Sequence, residues 1–196
     1  MKYSAIMSLV VAVINYGIYA ALETLLRKDA VALSRKPTEH DKGTTRFISV
    51  IFVASWLLLL LAVVLNQFHI GTIEPHFVFN AVGVVLMAAG VVLRVVAMRT
   101  LGKFFTRTLR MREEQHVVST GIYRRVRHPG YLGEIVLWIG SGLATSNVIP
   151  LVLISGAILT AYLRRIAAEE RMMAAQLGEE YLAYTARSWK LVPFVF

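Results

Sequence analysis

The sequence predicts an all-α, polytopic membrane protein with five transmembrane helices, the last two forming a tight helical hairpin, and a cytosolic C-terminal helix. Three observations lead there. Of the 196 residues, 57% are hydrophobic and 17% charged, against about 45–50% and about 25% in a soluble domain. Uncharged apolar runs recur at about the 20 residues that cross a hydrocarbon core of roughly 30 Å. Lys and Arg cluster in alternate loops, as they do where positive segments stay in the cytoplasm. The net charge of +9, in so apolar a chain, marks faces that meet anionic lipid rather than nucleic acid. No cysteine is present, which excludes a disulfide framework, a thiol nucleophile, a cysteine zinc site and an iron–sulfur cluster.

Residues 3–22 and 47–65 carry no charge and give the first two spans. The first exceeds the roughly 7–15 apolar residues of a signal-peptide core, so it is expected to be retained. Residues 77–93 give the third span, extended through Met98 if Arg94 snorkels to the near surface. The uncharged run 135–163 is too long for one helix. Thr145, Ser146, Asn147 and Pro150 near its middle form turns, so it folds as a hairpin with arms of about 16 residues, or roughly 24 Å, which barely cross.

The charge distribution supports this count. Arg27, Lys28, Arg35, Lys36, Lys42 and Arg46 follow the first span, whereas 66–76 holds no Lys or Arg. Arg99, Lys103, Arg107, Arg110, Arg112, Arg124, Arg125 and Arg127 follow the third, and Arg164, Arg165, Arg171, Arg187 and Lys190 follow the hairpin. Five spans with the N-terminus outside and the C-terminus cytosolic put every basic segment on one face. The reading is a single integral domain: 1–98 carries three spans, 99–130 a cytosolic loop, 131–163 the hairpin, and 164–196 the cytosolic helix and tail. Gly133, Gly140, Gly142 and Ala144 suit close helix packing in lipid.

Chemistry on water-soluble reactants must lie in the two cytosolic segments. The densest polar and aromatic cluster runs from Gln115 through Tyr123 and Arg127-His128-Pro129-Gly130-Tyr131. Pro129 disfavours α conformation at His128 and suits a first helical turn, whose free N–H groups can meet an anionic ligand. The plainer reading is that Arg124, Arg125 and Arg127 hold lipid phosphates while His128 caps the helix. In the second cluster, Arg165 and Glu169 are four apart on one helix face, and Glu170 follows. Their plain reading is a surface ion pair beside a solvated Glu170 and Arg171. Glu134, about one turn into the fourth span, is a functional candidate or the partner of an arginine. His40, His69 and His76 are isolated, and His116 and His128 lack a third ligand, so no metal is expected. No G-x-G-x-x-G, Walker A or G-x-S-x-G motif occurs.

These clusters resemble the isoprenylcysteine carboxyl methyltransferase family, within the wider group that includes phospholipid methyltransferases. The shared pattern is [HQ]-x-L-V-x-x-G-x-Y leading to R-H-P-x-Y, an apolar hairpin, R-x-x-x-E-E and F-G-x-E-Y-x-x-Y. Here it reads Gln115 to Tyr123, Arg127 to Tyr131, Arg165 to Glu170, and Leu177-Gly178-Glu179-Glu180-Tyr181-Leu182-Ala183-Tyr184. Gln115 stands where the isoprenylcysteine enzymes carry His, Val117 replaces Leu and Leu177 replaces Phe. The resemblance covers about 90–194.

It implies S-adenosyl-L-methionine as cofactor, held between the 99–130 loop and the C-terminal helix beneath a lipid-facing opening. Carried over by position, Gln115, His116, Val117, Val118, Tyr123, His128, Pro129, Gly130, Tyr131 and Glu169 line the cofactor site, and Arg165 approaches the methyl acceptor. The implied partners are a lipophilic or prenylated substrate from the bilayer and membrane lipid, with no nucleic acid. In a bacterium the location would be the inner membrane. A carboxylate acceptor is ionised at neutral pH and needs no base, and the Arg165 guanidinium suits it by paired hydrogen bonds. A lipid amine must instead lose a proton to Glu134, Glu169 or Glu170. An NADPH-dependent membrane reductase and a non-enzymatic scaffold complete the alternatives.

Overall fold

The computed structural model describes residues 2–25, 41–106, 108, 109 and 114–195, with backbone only at 2–5, 16, 19 and 22–25. Arg27, Lys28, Arg35, Lys36, His40, Arg107, Arg110 and Arg112 lie outside the described residues. The described chain is all-helical: α1 Lys2–Leu25, α2 Thr44–Gln67, α3 His76–Leu101, α4 Pro129–Ala144, α5 Val148–Leu177 and α6 Glu179–Thr185. α2, the stretch His76–Phe104 and α5 are long and apolar enough to cross a membrane, and their outward faces carry exposed Val and Leu such as Val53, Leu57, Val85 and Val152. Such surfaces are stable only against lipid, so the chain is a membrane protein.

Glycine sets the spacing of α3 against α4. A Cβ on Gly90 would lie 2.5 Å from the Leu137 nitrogen and 2.6 Å from the Gly133 carbonyl. One on Gly140 would lie 2.7 Å from the Gly83 carbonyl and the Met87 nitrogen. The two backbones therefore touch, which in lipid supplies the dispersion contact that drives helix association. On the far side of α4, Trp138 is buried against Phe52 and Trp56 of α2, with ring centroids 5.3 and 5.4 Å away. Ile154 and Ile158 of α5 close the same core.

Arg94 is corrected by this packing. It does not snorkel: it is 7% exposed, and its Nε lies 2.7 Å from Glu134 Oε2. Close approach of α3 and α4 brings a carboxylate on the neighbouring helix within reach of the guanidinium. Glu134 thereby takes the arginine-pairing role, and its other oxygen accepts from Trp138 Nε1 at 3.2 Å.

The short hairpin arm also finds its explanation. α4 has 16 residues, and the turn beyond it does not emerge: Thr145, Ser146 and Asn147 are each 0% exposed. Side chains supply what water would have supplied. Asn66 Nδ2 donates to the Thr145 carbonyl at 2.7 Å, and Asn80 Nδ2 to the Ala144 carbonyl at 2.6 Å. The α2–α3 connection covers the turn, with Ile73 N to Ser146 O at 2.9 Å and Val148 N to Gly71 O at 2.8 Å. Asn147 caps α5 by accepting from Ile149 N at 3.0 Å. A hairpin whose tip is satisfied inside the protein does not need that tip to reach water, so a short arm suffices.

Candidate active site

At the opposite end of the bundle, past the hairpin's open side, the chain forms a cleft of about 870 Å³ counted out to its mouth. Leu101 at the end of α3, with Phe104 and Phe105 just beyond it, forms one wall, and Gln115, His116, Val117 and Val118 another. Tyr123, His128, Gly130 and Tyr131 lead into α4, Arg165, Glu169, Met172 and Met173 come from α5, and Tyr181 and Tyr184 from α6.

Local sequence explains why the loop holds this shape. Pro129 is the first residue of α4, as its fixed φ and missing N–H favour. Gly178, at φ 50°, breaks α5 and starts α6, a left-handed conformation that suits glycine. α6 then ties down the loop: Glu180 Oε1 accepts from the Val117 backbone N–H at 2.9 Å, and the Tyr184 hydroxyl donates to the Tyr123 carbonyl at 2.6 Å. The tail adds a ladder, Trp189 N to Arg125 O and Arg127 N to Trp189 O, both 2.8 Å. Arg94 reaches from α3 to the Gly130 carbonyl at 3.1 Å.

The motif arginine Arg127 is structural. Its Nε pairs with Glu170 at 3.1 Å, and its Nη1 donates to the carbonyls of Thr185 and Ser188. Glu170 is not solvated: Lys190 Nζ lies 3.3 Å from it, and His128 Nε2 3.3 Å. Three cationic or donor groups converge there because the loop, α5 and the tail meet at that carboxylate. Nor does the His128 side chain cap α4; its ring stacks on Tyr131, at 5.7 Å and 8°.

Inside the cleft, Tyr131 is the hub. Its hydroxyl accepts from Arg165 Nε at 3.3 Å and also interacts with the Glu169 carboxylate. Glu169 Oε2 is buried with no hydrogen-bond partner, and His128 Nδ1 stands 3.9 Å away. Thr108 Oγ1, also on the wall, is likewise buried and unpartnered. Burial, then the Glu169 charge, pushes the Tyr123 hydroxyl up. Burial raises Tyr184 to about 12. Both remain neutral hydrogen-bonding groups across the physiological range.

Arg165 is the larger correction. It is 2% exposed, so a surface ion pair with Glu169 is not what it forms. Its Nη1 lies 2.5 Å from Asp41 Oδ1 and 2.9 Å from each of the Thr44 and Thr45 hydroxyls. Of the expected residues, Gln115, His116, Val117, Val118, Tyr123, His128, Gly130, Tyr131, Arg165 and Glu169 face one cleft, whereas Pro129 is not on its wall. Glu134 lies beneath it, paired with Arg94. Sequence reasoning missed Phe104, Phe105, Leu109, Met172 and Met173, whose apolar character was indistinguishable from membrane-facing residues. It missed Asp41 as well. Asp41 followed by Thr44 and Thr45 is a readable helix-start signal, but nothing local announces its distant arginine.

The family model for phospholipid methyltransferases matches residues 78–180. Protein-S-isoprenylcysteine O-methyltransferase B of Arabidopsis thaliana is 29% identical over 125 residues, covering 63% of this chain and 64% of its own. The Tribolium castaneum protein-S-isoprenylcysteine O-methyltransferase is 26% identical over 95% of this chain and 64% of its own length. The solved structure of a eukaryotic intramembrane Ras methyltransferase, an isoprenylcysteine carboxyl methyltransferase, superposes with a TM-score of 0.70 at 21% identity, covering 93% of this chain and 63% of that one. It shares the fold. This chain thus spans somewhat under two thirds of the length of these proteins. With just over half of its residues matched by the family model, and the matched segment forming most of the cleft, the chain belongs to the phospholipid methyltransferase family.

Proposed function

We propose that the protein is an S-adenosylmethionine-dependent carboxyl methyltransferase whose acceptor is a lipophilic acid of the isoprenylcysteine type. One observation carries the reading: a half-buried carboxylate with one buried, unpartnered oxygen, Glu169, and a buried guanidinium, Arg165, share the hub Tyr131 on the wall of one cleft. The names of the relatives support the acceptor class.

The residues present fit the cofactor. The bare Glu169 oxygen is suited to a cationic group, and Tyr123, Phe105 and Leu109 offer an aromatic and apolar wall to a purine. When bound, S-adenosylmethionine supplies a methyl group already activated on a sulfonium. What the chain supplies is alignment and exclusion of water, worth roughly 7–11 kcal/mol when reactants are well oriented. Gln115, His116, Val117, Val118, Tyr123, His128, Gly130 and Tyr131 would hold the cofactor with Glu169, and Pro129 would act by starting α4. Arg165 would attract the acceptor carboxylate, which is ionised at neutral pH and therefore needs no base.

We read five membrane spans, with α1 and the buried-tip hairpin α4–α5 joining α2 and α3. The N-terminus lies outside and the cleft faces the cytosol, where cofactor arrives from water and acceptor from lipid. In a bacterium the host would be the inner membrane. Purified protein incubated with methyl-labelled cofactor and either a prenylcysteine acid or an aminophospholipid tests the reading. Base-labile label on the acid alone is expected; label on the phospholipid, or on neither, overturns it.

A further inference from the structure

The two oxygens of Asp41 are fully engaged. Oδ1 accepts from the Thr44 hydroxyl at 3.1 Å and the Thr45 hydroxyl at 2.6 Å, and Oδ2 accepts from the Thr45 backbone N–H at 3.2 Å. The same Oδ1 meets Arg165 Nη1 at 2.5 Å. Asp41 thus closes the first turn of α2 and grips a side chain of α5. Both members are buried, with side-chain exposures of 3% for Arg165 and 1% for Asp41.

We propose that Asp41, with Thr44 and Thr45, is a positioning residue for Arg165, fixing the guanidinium in the orientation in which it meets the methyl acceptor. The inference rests on the functional reading above. Three observations carry it. Asp41 is absent from the cleft wall on which Arg165 lies, so any influence on chemistry passes through the arginine. Arg165 is held at two points on different helices, Nη1 by the start of α2 and Nε by Tyr131 of α4. Asp41 also precedes residues 78–180, so the family-matched segment does not by itself contain the arginine's anchor.

An arginine has four rotatable side-chain bonds and much rotamer freedom to lose, and a guanidinium is directional in its donors. Left to sample rotamers in the cleft, it would meet an acceptor in many geometries. Capping α2 does not require a charge partner 124 residues away, and a buried ion pair is a poor source of stability compared with apolar residues. Orientation is what this arrangement supplies.

The test compares wild type, Asp41→Asn, Thr45→Val, Arg165→Lys and the Asp41→Asn/Arg165→Lys double variant. It measures cofactor affinity by titration, and kcat and acceptor KM by methyl transfer to a prenylcysteine acid. Cofactor affinity should stay within about twofold in Asp41→Asn while kcat over KM for the acceptor falls about 10- to 100-fold, the scale of a small misplacement. Thr45→Val, which keeps the ion pair, should lose less in the same direction. The double variant should be no worse than Arg165→Lys, because residues acting through one another are not additive. Should Asp41→Asn fail to fold in detergent, Thr44→Val/Thr45→Val takes its place. Additive losses, or parallel loss of cofactor affinity and turnover, would overturn the positioning role, as would an Asp41→Asn enzyme equal to an active wild type. A wild type that methylates no prenylcysteine acid would overturn the functional reading and this role together.

Discussion

Arg94 and Glu134 form a buried ion pair, Nε to Oε2 at 2.7 Å, where the backbones of α3 and α4 are still in close contact. Arg94 lies one turn past Gly90 and Glu134 directly follows Gly133, whose Cβ position would be 2.7 Å from the Arg94 nitrogen, which is why the two side chains can meet. The pair's second consequence reaches the site, since Arg94 Nη1 also holds the Gly130 carbonyl beside Tyr131.

Removing one partner strands a charge. Glu134→Ala should destabilise by about 3–5 kcal/mol, whereas Arg94→Met/Glu134→Leu, which removes both, should recover most of it. Thermal denaturation in one detergent would show this. The double variant should still bind cofactor less well than wild type, because the Gly130 tie is gone.

The hairpin tip predicts a loss of a different kind. Asn147 Nδ2 donates to Asn66 Oδ1 and to the Ile70 carbonyl, both at 2.8 Å, while its oxygen caps α5. Asn147→Ala leaves several buried groups unpaired, each worth about 1–3 kcal/mol, so a fall of about 2 kcal/mol or more is expected in chemical denaturation. Asn147→Asp should not rescue it, since the carboxylate cannot donate.

Two glycines in helices should respond oppositely to the same substitution. Gly90→Ala drives a methyl into the backbone of α4 and should cost about 1–3 kcal/mol or more. Gly156 has no atom within 4 Å of a Cβ position, and Gly156→Ala should stabilise by about 0.5–1 kcal/mol through lower unfolded-chain entropy. Paired melting curves would separate them.

Asp41 makes the stability pH-dependent in a stated window. Burial raises its carboxyl, but the Thr45 side-chain and backbone hydrogen bonds, the Arg165 charge and Thr44 outweigh it, and the net shift is downward. A carboxyl lowered on folding contributes stability that is complete above its unfolded value, about 3.9, and is lost as pH falls through the folded one. The melting difference between wild type and Asp41→Asn should therefore be flat from about pH 5 to 8 and shrink below about pH 4.

Much of this was legible because membrane helices announce themselves by length and charge. The breaks at Thr145 to Asn147 and the start at Pro129 came from turn and cap chemistry. The site motifs were legible through the family resemblance, which is why Tyr123, Tyr131, Arg165 and Glu169 could be named together. Partners distant in sequence were not. Arg94 could snorkel or pair, and only the Gly90–Gly133 contact decides it. Arg165 could pair four residues away, yet its anchor is Asp41. Glu170 read as solvated because the tail's Lys190 and the loop's Arg127 are brought to it only by the fold. The apolar wall of Leu109, Met172 and Met173 carries no signal that separates it from a lipid-facing surface.

The most direct measurement is a calorimetric titration of S-adenosylmethionine into purified wild type and Glu169→Ala, with folding verified by melting of both. Saturable binding by wild type and none by the folded variant is the predicted result. Equal affinity in the two proteins, or no binding by wild type, would contradict the assignment of the cleft.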